Sequence, residues 1–254
     1  MQTQYYKHYS QYLHRQMEFK QYGEGGTPCL ALPTGGGRFY EWEDAGMTGA
    51  LAGLIGAGRI TLFCADGVYG ESWLGRGEAR QRAETQERWH AYLCEELYPE
   101  LQKRCPGSPA LALGCDLGAA AAVLLALRAP ERFAGCVALS GRYGAAGFFD
   151  ENPGDDLVFR NDPLQFLPAL PAGHPRLQAL AASSIWLCAG QAPDEAGALA
   201  GTQALCEAMQ KKGLEPHLDV WGYDVTHSWP WWHKQMPYLL EKALDSLKPT
   251  APLA

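Results

Sequence analysis

One stretch constrains the fold more than any other. Pro109-Ala110-Leu111-Ala112-Leu113-Gly114 is a short apolar run of strand type, and Leu117–Arg128 is a helix of small and apolar residues that stops before Pro130. Between them lies Gly114-Cys115-Asp116-Leu117-Gly118, a Gly-x-Asp-x-Gly turn. Glycines on both sides suit a sharp strand-to-helix turn, in which the central residue takes strained dihedrals and points into solvent. The helix start that follows offers free N–H groups to an anion.

The same alternation runs along the chain. Leu30–Pro33, Arg59–Asp66, Phe133–Ser140, Ser184–Ala189 and Pro216–Gly222 read as strands, and Ala45–Gly56, Ala83–Lys103 and Ala198–Lys212 as helices. Trp89, Tyr92, Leu93, Leu97 and Leu101 fall at three-to-four spacing in the longest of these helices. Short apolar strands separated by helices of about ten or more residues predict a doubly wound, mostly parallel α/β sheet with helices on both faces. Tyr143–Leu177, rich in Gly, Pro, Asp and aromatics, breaks the rhythm. It reads as a lid-like excursion within one domain spanning residues 1–254, since no repeat or linker divides the chain.

Composition removes several function classes. With 21 basic and 28 acidic residues the net charge is −7, and no basic run offers a footprint for nucleic acid or an anionic membrane. The longest apolar run, Leu117–Leu127, is too short for the ~20 residues a bilayer span needs. The polar, aromatic start Met1-Gln2-Thr3-Gln4-Tyr5-Tyr6-Lys7 has no apolar core of a secretory signal. Cys64, Cys115, Cys136 and Cys188 lie inside apolar stretches, and Cys-x-x-Cys spacing is absent. Reduced, buried cysteines and a cytoplasmic location are the expectation. The histidines show no metal-ligand spacing, so neither metal nor cofactor is called for.

The turn at Asp116 has partners in chain order. After Ser184–Ala189 comes Gly190-Gln191-Ala192-Pro193-Asp194-Glu195, a loop with two carboxylates, and after Pro216–Gly222 comes Tyr223-Asp224-Val225-Thr226-His227-Ser228-Trp229. Nucleophile, acid and histidine at successive strand ends is the order of a hydrolase triad on this kind of sheet. Upstream, Thr34-Gly35-Gly36-Gly37 follows a strand, and its amides can pair with the Leu117 N–H as an oxyanion hole. Asp194 and Asp224 compete with Glu195 as the partner of His227. Plainer roles exist for each: Asp116 as a helix N-cap, Asp194 and Glu195 as a solvated helix start, and Trp229, Trp231 and Trp232 as packing, with Trp229 open to a role in a pocket wall.

At these residues the chain resembles a known family, the α/β-hydrolase esterases related to esterase D and enterochelin esterase, and most of all a bacterial esterase-like group. The likeness covers nearly the whole chain. It rests further on Tyr5-Tyr6-Lys7-His8-Tyr9-Ser10, Met17-Glu18-Phe19-Lys20, Gly36-Gly37-Arg38-Phe39-Tyr40-Glu41, Glu71-Ser72-Trp73, Leu139-Ser140-Gly141 and Trp221-Gly222-Tyr223-Asp224-Val225-Thr226-His227-Ser228-Trp229-Pro230-Trp231-Trp232. The resemblance implies the α/β-hydrolase fold with an eight-stranded type of sheet, and a site for a small ester or thioester. By position, His227 matches the family histidine, Glu195 its acid, and Leu117 and Gly35 its oxyanion amides. Position 116 departs from the family, which carries serine there.

That departure changes the chemistry. A serine hydroxyl, activated by histidine, leaves an acyl-enzyme that water opens. A carboxylate attacking an ester would have to expel an alkoxide, a far worse leaving group than itself. Two readings follow: an esterase-like hydrolase of weak or altered activity, using water activated by His227, or a non-catalytic binding protein with Asp116 and His227 permanently paired. An aspartate nucleophile acting at saturated carbon, as in dehalogenases and epoxide hydrolases, is a third. It is disfavoured because Leu117, not Trp, follows Asp116. Two carboxylates facing His227 predict a raised imidazole pKa.

Overall fold

The computed structural model describes residues 2–149 and 154–247. Eight strands form one sheet in the order β1-β2-β4-β3-β5-β6-β7-β8. They are β1 (Thr3–Ser10), β2 (Arg15–Tyr22), β3 (Thr27–Leu32), β4 (Ile60–Ala65), β5 (Ala110–Cys115), β6 (Phe133–Leu139), β7 (Ser184–Ala189) and β8 (His217–Val220). From β4 to β8 every neighbouring pair is parallel, while β1 and β2 form an antiparallel hairpin on the edge. This is the doubly wound, mostly parallel sheet the sequence predicts.

The inner strands read as continuous apolar runs because both their faces are covered: every residue of β4 and β5 is buried. On one face lie α4 (Ala79–Ala91), α5 (Tyr98–Arg104), α6 (Leu117–Arg128) and α10 (Ala196–Gln210), around a core that includes Leu97, Leu125 and Leu205. On the other, α11 (Trp229–Ser246) packs with the short α1 (Glu41–Asp44), α2 (Met47–Ala50) and α3 (Ala52–Gly56) around Trp42, Leu51 and Leu239.

Ala45–Gly56, read as one helix, is broken where Gly46 turns left-handed at φ 83°. The long helix read over Ala83–Lys103 begins at Ala79 and passes through a π turn, Tyr92–Leu97, before α5. Pro99 explains the turn, because its ring cannot donate the usual bond and crowds the carbonyl four residues back. In the excursion after β6, α7 (Asp156–Arg160), α8 (Pro163–Ala169) and α9 (Pro175–Leu180) follow one another, while residues 150–153 of the lid-like reading lie outside the described residues. All eight cysteines are free and buried, and among the described residues no helix is long and apolar enough to cross a membrane.

Candidate active site

Four loops meet at the carboxyl ends of the parallel strands, where sheets of this kind place their ligands. The first is the turn between β5 and α6. Asp116 sits there at φ 54° and ψ −123°, a conformation L-residues rarely adopt, and its N–H donates to the Leu139 carbonyl at 3.1 Å. Strain of order 1–3 kcal/mol accompanies such a backbone and persists only where the surroundings over-determine it. Here the flanking glycines do so. A Cβ on Gly114 would lie 2.1 Å from the Gly118 carbonyl, and one on Gly118 would lie 2.6 Å from the Leu32 and Pro33 carbonyl oxygens. The Asp116 side chain makes no ordinary N-cap bond to the second or third amide of α6.

Its carboxylate faces three groups. Gly35, just after β3, donates its N–H to Oδ2 at 3.2 Å, and the Leu117 amide bonds the same carboxylate. On the other side Oδ1 lies 3.6 Å from His227 Nε2, an ion pair longer than a hydrogen bond. His227 Nδ1 in turn lies 2.8 Å from Oε1 of Glu195, which is fully buried. These two atoms are close without being aligned as a hydrogen bond, so charge carries the contact more than direction does. Glu195 ends a single 3-10 turn, Pro193–Glu195, and its Oε2 accepts the Gly190 N–H at 3.1 Å.

Asp194 has a different place: its Oδ2 accepts the His227 backbone N–H at 3.2 Å. Asp224 leans over Gly222, where a Cβ would meet its Oδ1 at 2.7 Å. Of the three carboxylates that compete for the imidazole, Glu195 is the one that reaches it.

The charges decide the protonation. Burial pushes the Asp116 pKa up, but the pairing with His227 and the bonds from the Leu117 and Gly35 amides outweigh it and hold the group below its ordinary 3.8. Burial pulls His227 down, yet Asp116 and Glu195 together raise it from 6.5 to about 9. Each carboxylate within about 4 Å is worth roughly 4 kcal/mol of attraction at the effective dielectric of a protein surface, enough to override partial desolvation. The raised pKa favours the imidazolium form of His227, set between Asp116 and Glu195, at neutral pH.

Two further residues shape it. Glu41, at the start of α1, accepts the Thr34 N–H at 2.7 Å through Oε2 and the Thr34 hydroxyl through Oε1, which fixes the loop carrying Gly35. Burial first, and then the Asp116 charge, raise the Glu41 pKa against those bonds. Arg38 ties the same loop to the end of β4 through Asp66, with Nε–Oδ1 at 2.5 Å and Nη2–Oδ2 at 3.0 Å. Nothing in the spacing of Glu41 marks it as a loop anchor; it enters the sequence reading only within the run that carries the family likeness. Among the aromatics, Trp232 stands edge-on to His227 at 5.0 Å and donates its indole N–H to Ser140 Oγ at 3.0 Å. Trp229 lies behind it, 5.1 Å from Trp232, and packs toward Trp42.

Sheet order, crossover helices and a strained strand-to-helix turn with acid and histidine at later strand ends define an α/β-hydrolase-fold protein. The sequence profile of the family described as "Putative esterase" matches residues 42–242, and the chain belongs to that family. Solved structures agree on the fold. A ferulic acid esterase superposes with a TM-score of 0.76 at 14% identity, covering 97% of this chain and 98% of that one. The S-formylglutathione hydrolase of Agrobacterium tumefaciens does so with a TM-score of 0.76 at 17% identity, over 97% and 95%. The fluorophosphonate-binding serine hydrolase F of Staphylococcus aureus gives 0.72 at 10% identity, over 96% and 98%. No curated protein matches the chain by sequence.

Proposed function

We propose that this chain is an esterase-family protein whose site is closed to acyl transfer at neutral pH by its own Asp116, and which takes small esters, thioesters or their products as ligands without forming an acyl-enzyme. The observation that carries the reading is the Asp116 carboxylate itself. Its Oδ2 accepts the Gly35 amide, where the oxyanion of a reacting ester would sit, while Oδ1 faces His227. A substrate carbonyl must displace an ionic ligand from those amides, and the imidazole it meets is already protonated. A base that holds its proton accepts no other. Neighbours named for a ferulic acid ester and for S-formylglutathione support small esters and thioesters as the ligand class.

A second reading concerns high pH. The His227 side chain is 25% exposed, and above about 9 its imidazole is neutral, with Glu195 behind it to orient the ring. It then activates water for slow, direct ester hydrolysis.

The test is a short-chain aryl ester assay and fluorophosphonate labelling of the parent, Asp116→Ser and Asp116→Ser/His227→Ala. The parent is expected to be silent at neutral pH and unlabelled, and the serine variant to hydrolyse and to label. Adding His227→Ala should abolish both gains. A parent that labels, or one that opens haloalkanes or epoxides in the same assay, contradicts the reading.

A further inference from the structure

A second cluster of charge lies away from the strand ends that form the site. Helix α6 leaves the elbow at Leu117 and runs back along the sheet; at 1.5 Å per residue its 12 residues put Arg128 about 18 Å from Asp116. Around that far end α7, α8 and α9 enclose a cavity of about 350 Å³, at the small end of the range for ligand pockets. Three guanidinium groups line it, from Arg128, Arg160 and Arg176, together with Phe159, Phe166 and Leu170. Among the described residues that line it, none is acidic.

The three arginines differ in how their charge is met. Arg128 forks onto Glu87 at 2.7 and 2.8 Å and also reaches Asn161 at 3.3 Å. Arg160 has Asp156 at 3.5 Å, one turn before it. Arg176, half-buried in the first turn of α9, has no side-chain hydrogen bond or ion pair among the described residues. Lys212, outside the lining, donates its ammonium to the Leu170 carbonyl at 2.6 Å and keeps its charge. Among the described residues that line the cavity, Arg176 is thus the one guanidinium without a carboxylate, on a chain whose net charge is −7. The field reaches His90: burial first, and then Arg128, Arg132 and Arg176, hold its pKa well below the ordinary 6.5.

A partly desolvated guanidinium without a counter-ion is costly, and its planar fork matches a carboxylate in two parallel bonds. The walls add a second requirement. Phe166 is buried and Phe159 is 38% exposed, so an apolar body placed between them removes further apolar surface from water. An inorganic anion has no such body. A phosphate monoester brings a second charge for which no second cation without a carboxylate stands among the described residues that line the cavity.

We propose that this cavity binds a small organic carboxylate, its head on the Arg176 guanidinium and its apolar body against Phe159 and Phe166. The site is separate from the one at Asp116 and stands whether or not that site is closed.

Calorimetric titration with phenylacetate tests it, with phenethyl alcohol, phenyl phosphate and sulfate as comparison ligands. The parent should bind phenylacetate saturably and more tightly than the other three. Arg176→Ala should weaken binding about tenfold or more, the scale of one lost bond to a charged group. Arg176→Lys, which keeps the charge without the fork, should fall between. Asp116→Ser should bind as the parent does. Circular dichroism verifies that each variant is folded. No saturable binding, equal binding of the alcohol, tighter binding of phenyl phosphate or sulfate, or a folded Arg176→Ala that binds undiminished would each overturn the proposal.

Discussion

The two ends of α6 solve one problem in opposite ways. At the N-terminus, helix and loop amides meet a carboxylate supplied by the chain itself, and Asp116 is satisfied by Gly35, Leu117 and His227. At the C-terminus, Arg128 is neutralised by Glu87, but the side chain of the neighbouring Arg176 has no hydrogen bond or ion pair among the described residues. In the reading proposed here, one end is closed by an internal ligand and the other is open to an external one. The difference shows what to ask of a charged site before assigning it a role: not which residues are present, but which of their charges are already met. A site with the residues of a hydrolase is silent if its own side chain holds the groups a substrate needs.

The largest expected effect comes from opening the closed end. Asp116→Ser should raise aryl ester hydrolysis at neutral pH by about 100-fold or more, the scale of a single oxyanion donor returned to use. Next is the packing that holds the elbow. Gly118→Ala puts a Cβ 2.6 Å from the Leu32 and Pro33 carbonyl oxygens, and should destabilise the protein by about 1–3 kcal/mol, read as a lower denaturant midpoint. A parent-like midpoint would mean that α6 is not seated against β3 as described.

A smaller effect lies in pH. His227 is raised from 6.5 to about 9, so the stability it contributes is fully present below 6.5 and is lost as pH rises through about 9. Asp116 is lowered, so its contribution is present above 3.8 and is lost as pH falls through its folded value. The difference in Tm between the parent and His227→Gln should therefore be widest between about 4 and 6.5 and shrink on either side. A difference that does not change with pH would break the ion pair assigned to the closed end.

How much of this was legible depends on burial. β4 and β5 were readable because strands covered on both faces are apolar without interruption. The elbow and the order of Asp116, Glu195 and His227 were readable because strand ends locate them. The β1–β2 hairpin carries no strand signal in the sequence: β1 alternates in exposure, but Tyr5, Tyr6, His8 and Tyr9 put large rings on both of its faces and hide the period. Helix α11 was hidden by Pro230 and Pro237, although the first falls in the opening turn, where proline is tolerated. Glu41 and Trp232 act through contacts between distant parts of the chain, which no local spacing encodes. The charge on Arg176 is of the same kind, since only the fold tells which arginines have partners.

The central claim is that Asp116 holds His227 protonated. An NMR titration of the His227 imidazole in the parent and in Asp116→Ser measures it directly. The account predicts a parent pKa of about 9 and a clearly lower value in the serine variant. A parent imidazole that titrates at or below 6.5, or one unmoved by removing the Asp116 carboxylate, would contradict it.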